Sequence, residues 1–153
     1  MEKEKSDIGH WVAPWLFDPN EFVGFQYRIT QISTGRIYIG KKFFTSTTRK
    51  KIKNKTNRKK VIKQSNWKKY SGSSKWLIAE IEKNGEKDFL FQIEALCSSR
   101  SNLAWREVER LVKENVLREK LLDGSPKYFN GLIPPVKFKI SEETEQEKKY
   151  KID

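Results

Sequence analysis

Two tyrosines and two lysines carry the first chemical signal in this chain. In the run Phe25-Gln-Tyr-Arg-Ile-Thr-Gln-Ile-Ser-Thr-Gly-Arg-Ile-Tyr-Ile-Gly-Lys-Lys-Phe43, Tyr27 and Tyr38 stand on two strand-like segments joined by a Ser-Thr-Gly turn. Side chains alternate faces along a strand, and a short hairpin folds the second strand back on the first. Two phenols can therefore be held near each other on a rigid sheet, with Lys41 and Lys42 just beyond. Such a set could surround a phosphate, the phenols handling protons and the ammonium groups neutralising charge.

The rest of the chain supports a polyanionic partner. Of its 153 residues, 34% are charged, 36% hydrophobic and 12% aromatic, enough for one domain with a real core. The formal charge is +12, and it is unevenly spread: between Glu21 and Glu80 no acidic residue occurs, against sixteen Lys or Arg. A one-sided basic stretch of this kind is the electrostatic footprint of nucleic-acid binding. The single cysteine, Cys97, allows no internal disulfide and suits a reducing compartment. One Cys and one His (His10) cannot build a four-ligand zinc site, and multi-histidine nucleases are disfavoured. No apolar run approaches membrane-spanning length, so a soluble, cytoplasmic protein is expected, without membrane contact.

Three regions are expected to position the chemistry. Residues 1–22 read as an arm packed onto the body by Trp11 and Trp15. Residues 23–131 read as the main α/β (α+β) domain, and 132–153 as an extension ending in a frayed charged tail. Strands are expected over 23–32, 36–44 and 88–96, the last with Phe89, Phe91, Ile93 and Ala95 inward. Between them, 45–64 reads as a polar insertion, mobile without a ligand. Its Arg49, Lys50, Lys51, Lys53, Arg58, Lys59 and Lys60, with Lys68 and Lys69 beyond, are the candidate nucleic-acid contacts. Ser65 could cap a short helix carrying Trp67 and Tyr70. A helix over Lys75–Lys83 is expected to bury Trp76, Leu77, Ala79 and Ile81 and to stop at Asn84-Gly85. A longer helix runs from Ser101 or Asn102 to Lys120 with a stripe of Leu103, Val108, Leu111, Val112, Val116 and Leu117. Val136–Ile140 reads as a short β-prone piece.

Tyr27, Tyr38-Ile39-Gly40, a later helix with an embedded glutamate, and an asparagine beyond it resemble the GIY-YIG nuclease superfamily. Within it, Tyr38-Ile-Gly-Lys-Lys42, Ser65-Asn-Trp-Lys-Lys-Tyr-Ser-Gly-Ser-Ser74 and Tyr128-Phe-Asn130 are most similar to the Seg-like, homing-type endonucleases of bacteriophages, over residues 22–131. The resemblance implies a small three-stranded antiparallel sheet flanked by helices. It also implies catalytic roles for Tyr27, Tyr38, Tyr70, Glu107 and Asn130. Glu107 would be the metal ligand for one Mg²⁺ (or Mn²⁺), with Glu109 the fallback, since two positions turn a helix by about 200° and only one can face the site. The chain departs from the pattern at Gly24, displaced by one position, and at Asn66, where the superfamily usually has arginine. Lys41, Lys42, Lys68 and Lys69 are the candidates to supply that charge.

In the implied mechanism Tyr27 or Tyr38 takes a proton from the attacking water, and Tyr70 and Asn130 orient groups without reacting. A free phenol titrates near about 10, so it needs nearby cations to act as a base. The main alternative is a non-catalytic basic nucleic-acid-binding protein. A two-carboxylate, lysine-type nuclease fits poorly, because the span from Phe22 to Ala79 holds no acid. A structural phage component would explain the charge but not the ordered motifs. With no second DNA-reading module in evidence, binding is expected to be backbone-dominated, salt-sensitive and only weakly sequence-selective.

Overall fold

The computed structural model describes residues 7–51, 53 and 58–152. In chain order its elements are β1 (Gly24–Gln31), β2 (Ile37–Phe43), β3 (Thr45–Lys51), β4 (Arg58–Gln64), α1 (Lys75–Asn84), β5 (Phe89–Cys97), α2 (Arg100–Lys113) and α3 (Glu145–Lys149). The expected three-stranded antiparallel sheet is present, in the order β2-β1-β5.

β1 is central and buries both faces. Phe25, Tyr27 and Ile29 enter an aromatic core with Trp11, Phe44, Trp67, Leu77 and Phe91. This is where the N-terminal arm goes: Trp11 is buried, and its indole N–H donates to the Trp67 carbonyl at 2.5 Å. The other face of β1 presents Gln26 and Arg28 to α2, so that layer is polar. Arg106 Nε donates to Gln26 Oε1 at 3.0 Å, and Arg28 Nε to Glu94 Oε2 at 3.0 Å. Glu94 reaches this layer through a bulge: Tyr27 pairs with Ile93 and Gln26 with Ala95, leaving Glu94 as the extra residue.

Several expectations are corrected. The basic insertion is not a loose loop: Thr45–Lys51 and Arg58–Gln64 pair in register as a two-stranded ribbon. Ser65 caps no helix; its hydroxyl donates to the Phe43 carbonyl, and Trp67–Lys69 form one 3-10 turn preceded by Asn66. α1 buries only Leu77 fully, with Ile81 partly buried against the core and Trp76 and Ala79 exposed. α2 stops at Lys113, seven residues short of Lys120, since Asn115 takes a left-handed backbone (φ 55°) that breaks the helical ladder. Its buried face is Asn102, Leu103, Arg106, Glu107 and Leu111, not the purely apolar stripe; Val112 and Leu117 face solvent. Val136–Ile140 forms no strand. The tail is docked rather than frayed: Thr144 and Glu147 make a capping box on α3, and Glu147 is buried.

Both terminal segments close the outer edge of β5, Val12 pairing beside Gln92 and Lys151 beside Ala95. The edge of β2 is only partly closed. Ile37 exchanges hydrogen bonds with Lys127 and Phe129, and the Asn130 amide brackets Ile39, accepting from its N–H (3.0 Å) and donating to its carbonyl (2.7 Å). Beyond Ile39 the edge opens. Among the described residues no helix is long and apolar enough to cross a membrane.

Candidate active site

The cleft forms where the pairing of β2 runs out. Register places Tyr38 opposite Ile29, Gly40 opposite Tyr27, and Lys42 opposite Phe25, so Tyr38, Gly40 and Lys42 share the Tyr27 face. Lys41 pairs with Gln26 and takes the α2 face. At an edge strand both faces reach the same opening, and the two adjacent lysines serve it from opposite sides. The cleft has a volume of about 770 Å³, and its lining includes Tyr27, Tyr38, Lys41, Lys42, Tyr70, Arg100, Glu107 and Asn130.

Gly40 allows the phenols to gather. A Cβ at this position would lie 2.4 Å from the Tyr27 hydroxyl, so the absence of a side chain lets that ring lie across the strand. The Tyr27 ring then stands 6.1 Å from Tyr38 and 6.2 Å from Tyr70. Gly72, with φ of 87°, turns the chain against the Tyr38 ring. The Tyr38 hydroxyl meets Ser73 Oγ at 3.2 Å, on the solvent side of the cleft. Tyr70 ends the 3-10 turn and carries the Lys42 ammonium 4.0 Å above its ring.

Burial acts on Tyr27, Tyr70 and Lys42. Tyr27 is 1% exposed, and burial pushes its pKa well above the usual phenol value; Tyr38, Tyr70 and Glu107 add to the effect. Tyr70 is also raised, chiefly by burial. Burial pulls the Lys42 ammonium below its usual value. Tyr27 and Tyr70 are thus poised as neutral donors in the free protein.

Glu107 projects from α2 into the cleft, where Lys41 Nζ binds its Oε1 at 2.9 Å. Glu109 points elsewhere: it pairs with Lys113 at 3.8 Å and lines a separate small pocket beside Cys97. No cluster of three metal-ligating side chains occurs among the described residues. The donor set still fits a hard divalent ion such as Mg²⁺, which commonly keeps several waters and takes one or two carboxylates plus substrate oxygens. Glu107 would be the protein ligand, and Lys41 now fills the position beside it.

The remaining candidates divide by location. Lys68 and Lys69 do not line the cleft; Lys68 pairs with Asp7 at 3.4 Å. Arg49, Lys51, Lys53, Lys59 and Lys60 are exposed on or next to the ribbon, and Lys50 and Arg58 belong to its strands. Arg100 lines the cleft, its guanidinium 5.0 Å over the Phe43 ring, and sequence reasoning missed it. The available signal was Ser99, whose side chain accepts from Asn102 N and starts the helix one turn earlier than Asn102 would.

A family model described as "Putative endonuclease segE, GIY-YIG domain" matches residues 11–133. No curated protein and no solved structure matches the chain. The matched span contains the sheet, the ribbon, α2 and every cleft residue named here, so the chain belongs to the SegE-type GIY-YIG endonuclease family.

Proposed function

We propose that the protein is a divalent-metal-dependent DNA endonuclease that hydrolyses phosphodiester bonds in the β2-edge cleft, acting in the cytoplasm. The observation that carries this reading is the convergence of Glu107, Lys41, Lys42 and three phenols on one opening. Lys42 and Arg100, which both line the cleft, would bind non-bridging phosphate oxygens and neutralise the charge that builds there. Tyr38, acting as the phenolate after giving its own proton to solvent, is the residue to take the proton of the attacking water, because its oxygen is on the open side beside Ser73. Tyr27, buried and held protonated, serves as a hydrogen-bond donor and as the wall that orients Tyr38. Lys41 holds the Glu107 carboxylate in place until substrate and ion arrive. The bound ion would supply Lewis-acid stabilisation of the charge that develops on the leaving oxygen. Asn130 is a positioning residue, since both ends of its amide are committed to Ile39.

A supercoiled-plasmid assay with Mg²⁺ or Mn²⁺ tests the reading. The intact protein should nick or linearise the plasmid, chelation should stop it, and Glu107→Ala should bind DNA without cutting. Band shifts without cleavage under every metal condition would leave only a basic binding protein.

A further inference from the structure

The β3–β4 ribbon has a design that cleavage chemistry alone does not require. Among the described residues its strands pair only with each other, and two-stranded ribbons are at best marginally stable in water. In its outer half the register pairs cationic residues with one another: Arg49 with Lys60, Lys50 with Lys59, and Lys51 with Arg58. Opposed cations destabilise a strand pair. The segment has no acidic residue to offset them. A polyanion on both sides of the ribbon would remove that repulsion.

The inner half is different. Thr45 faces Gln64, Thr47 faces Ile62, and Thr48 faces Val61. Ile62 is 61% exposed, an apolar side chain turned to solvent in the middle of a cationic element. Alternation puts Thr47, Arg49, Lys60 and Ile62 on one face. That set combines a hydroxyl, two cations and an apolar group able to meet hydrogen-bonding base edges and the thymine methyl, the features displayed in the major groove. The ribbon is also firmly rooted: Phe44 is buried, its N–H bonds to the Val23 carbonyl, and its carbonyl accepts from Ser65 N. Thr45, Ser46, Thr47 and Ser65 line the cleft, so ribbon and cleft are continuous.

We infer that β3–β4 is a groove-reading ribbon, which enters the major groove of duplex DNA beside the phosphate held in the cleft and gives the enzyme a base preference there. This rests on the nuclease reading and departs from the expectation of backbone-dominated, weakly selective binding. A major groove about 12 Å wide admits a two-stranded ribbon. Seven residues at about 3.4 Å each give a reach of about 20 Å. With about 3.4 Å of duplex per base pair, the preferred bases should lie within about six pairs of the cut.

Methylation interference on the full chain without divalent metal reads binding separately from cutting. The expected result is that guanine N7 methylation, a major-groove lesion, blocks binding over a short window, and that the window narrows in Thr47→Ala/Ile62→Ala. Both substitutions are at exposed positions and leave the net charge alone, so the salt dependence of binding should not change. Lys59→Ala/Lys63→Ala, at exposed positions on the opposite face, should instead lower the slope of log K against log salt by up to about 0.9 per lost phosphate contact. Interference only from adenine N3 methylation in the minor groove, or a window untouched by Thr47→Ala/Ile62→Ala, would overturn the inference. Loss of cleavage with the N7 window intact would count against the nuclease reading alone.

Discussion

Replacing Gly40 by alanine places a carbon 2.4 Å from the Tyr27 hydroxyl and 2.6 Å from Cζ of the same ring. Neither atom can yield easily. Tyr27 is 1% exposed, with Trp11 at 4.9 Å and Phe25 at 5.9 Å between ring centres. The strand cannot back away either, because Gly40 is paired with Tyr27 itself. Overpacking of this kind costs about 1–3 kcal/mol, and the confinement of the ring argues for the upper half of that range. The kinetic effect should exceed the thermodynamic one. The displaced ring abuts Tyr38 and Tyr70, and a misplacement of about 1 Å in a catalytic array can cost about a hundredfold. Gly40→Ala should therefore fold with a lowered urea midpoint and cut plasmid about a hundredfold more slowly in single-turnover conditions. Adding Tyr27→Phe removes the oxygen at 2.4 Å but leaves the ring carbon at 2.6 Å, so stability should recover only in part. A Gly40→Ala protein with stability within about 0.5 kcal/mol of the parent, the range of neutral surface changes, and with unaltered cutting would refute the close-approach reasoning.

Tyr38→Phe should lower the single-turnover rate by about 10²–10⁴-fold with DNA affinity held, the usual range for a lost proton-transfer group; an equal loss of affinity would make Tyr38 a binding residue. Stability should decline in alkali: Tyr27 and Tyr70 are raised, and burial raises Tyr128 to about 12. Above a pH of about 10 the unfolded chain sheds phenol protons that the folded one keeps, so folding weakens as pH rises through that range. Denaturant titrations from pH 9 to 11 check this, and Tyr27→Phe should flatten the slope. Glu147→Ala should cost about 3 kcal/mol, because a buried carboxylate that accepts from Ser98 N, Asn102 Nδ2 and Thr144 N is removed. A thermal scan showing no shift would mean that the docked tail contributes little.

The strands were the readable part of this fold. Alternation in Phe25, Tyr27 and Ile29, and in Phe89, Phe91 and Ile93, reports the apolar face of the sheet directly. α2 was misread for a physical reason: its inward face carries Arg106 and Glu107, so burial there depends on partners from β1 and β2 that no local pattern displays. The same holds for Glu147, a charge in an apparently solvated tail that is buried because Asn102 and Ser98 receive it. The ribbon was hidden by its composition, since strand pairing among opposed lysines contradicts β propensity. At the cleft, spacing pointed to Tyr27 and Tyr38 and the family resemblance to Tyr70 and Glu107, but the separation of Lys41 and Lys42 onto opposite faces needed the register.

Strand parity adds a consequence at the open end of β2. Ile37 and Ile39 turn their main-chain groups outward, to Lys127, Phe129 and Asn130. Lys41 shares that parity, so its peptide N–H points away from β1 and into the gap after Asn130. An incoming phosphate oxygen therefore meets a donor that belongs to the backbone. Scanning every side chain in the cleft would miss it; replacing the amide of Lys41 with an ester would expose it.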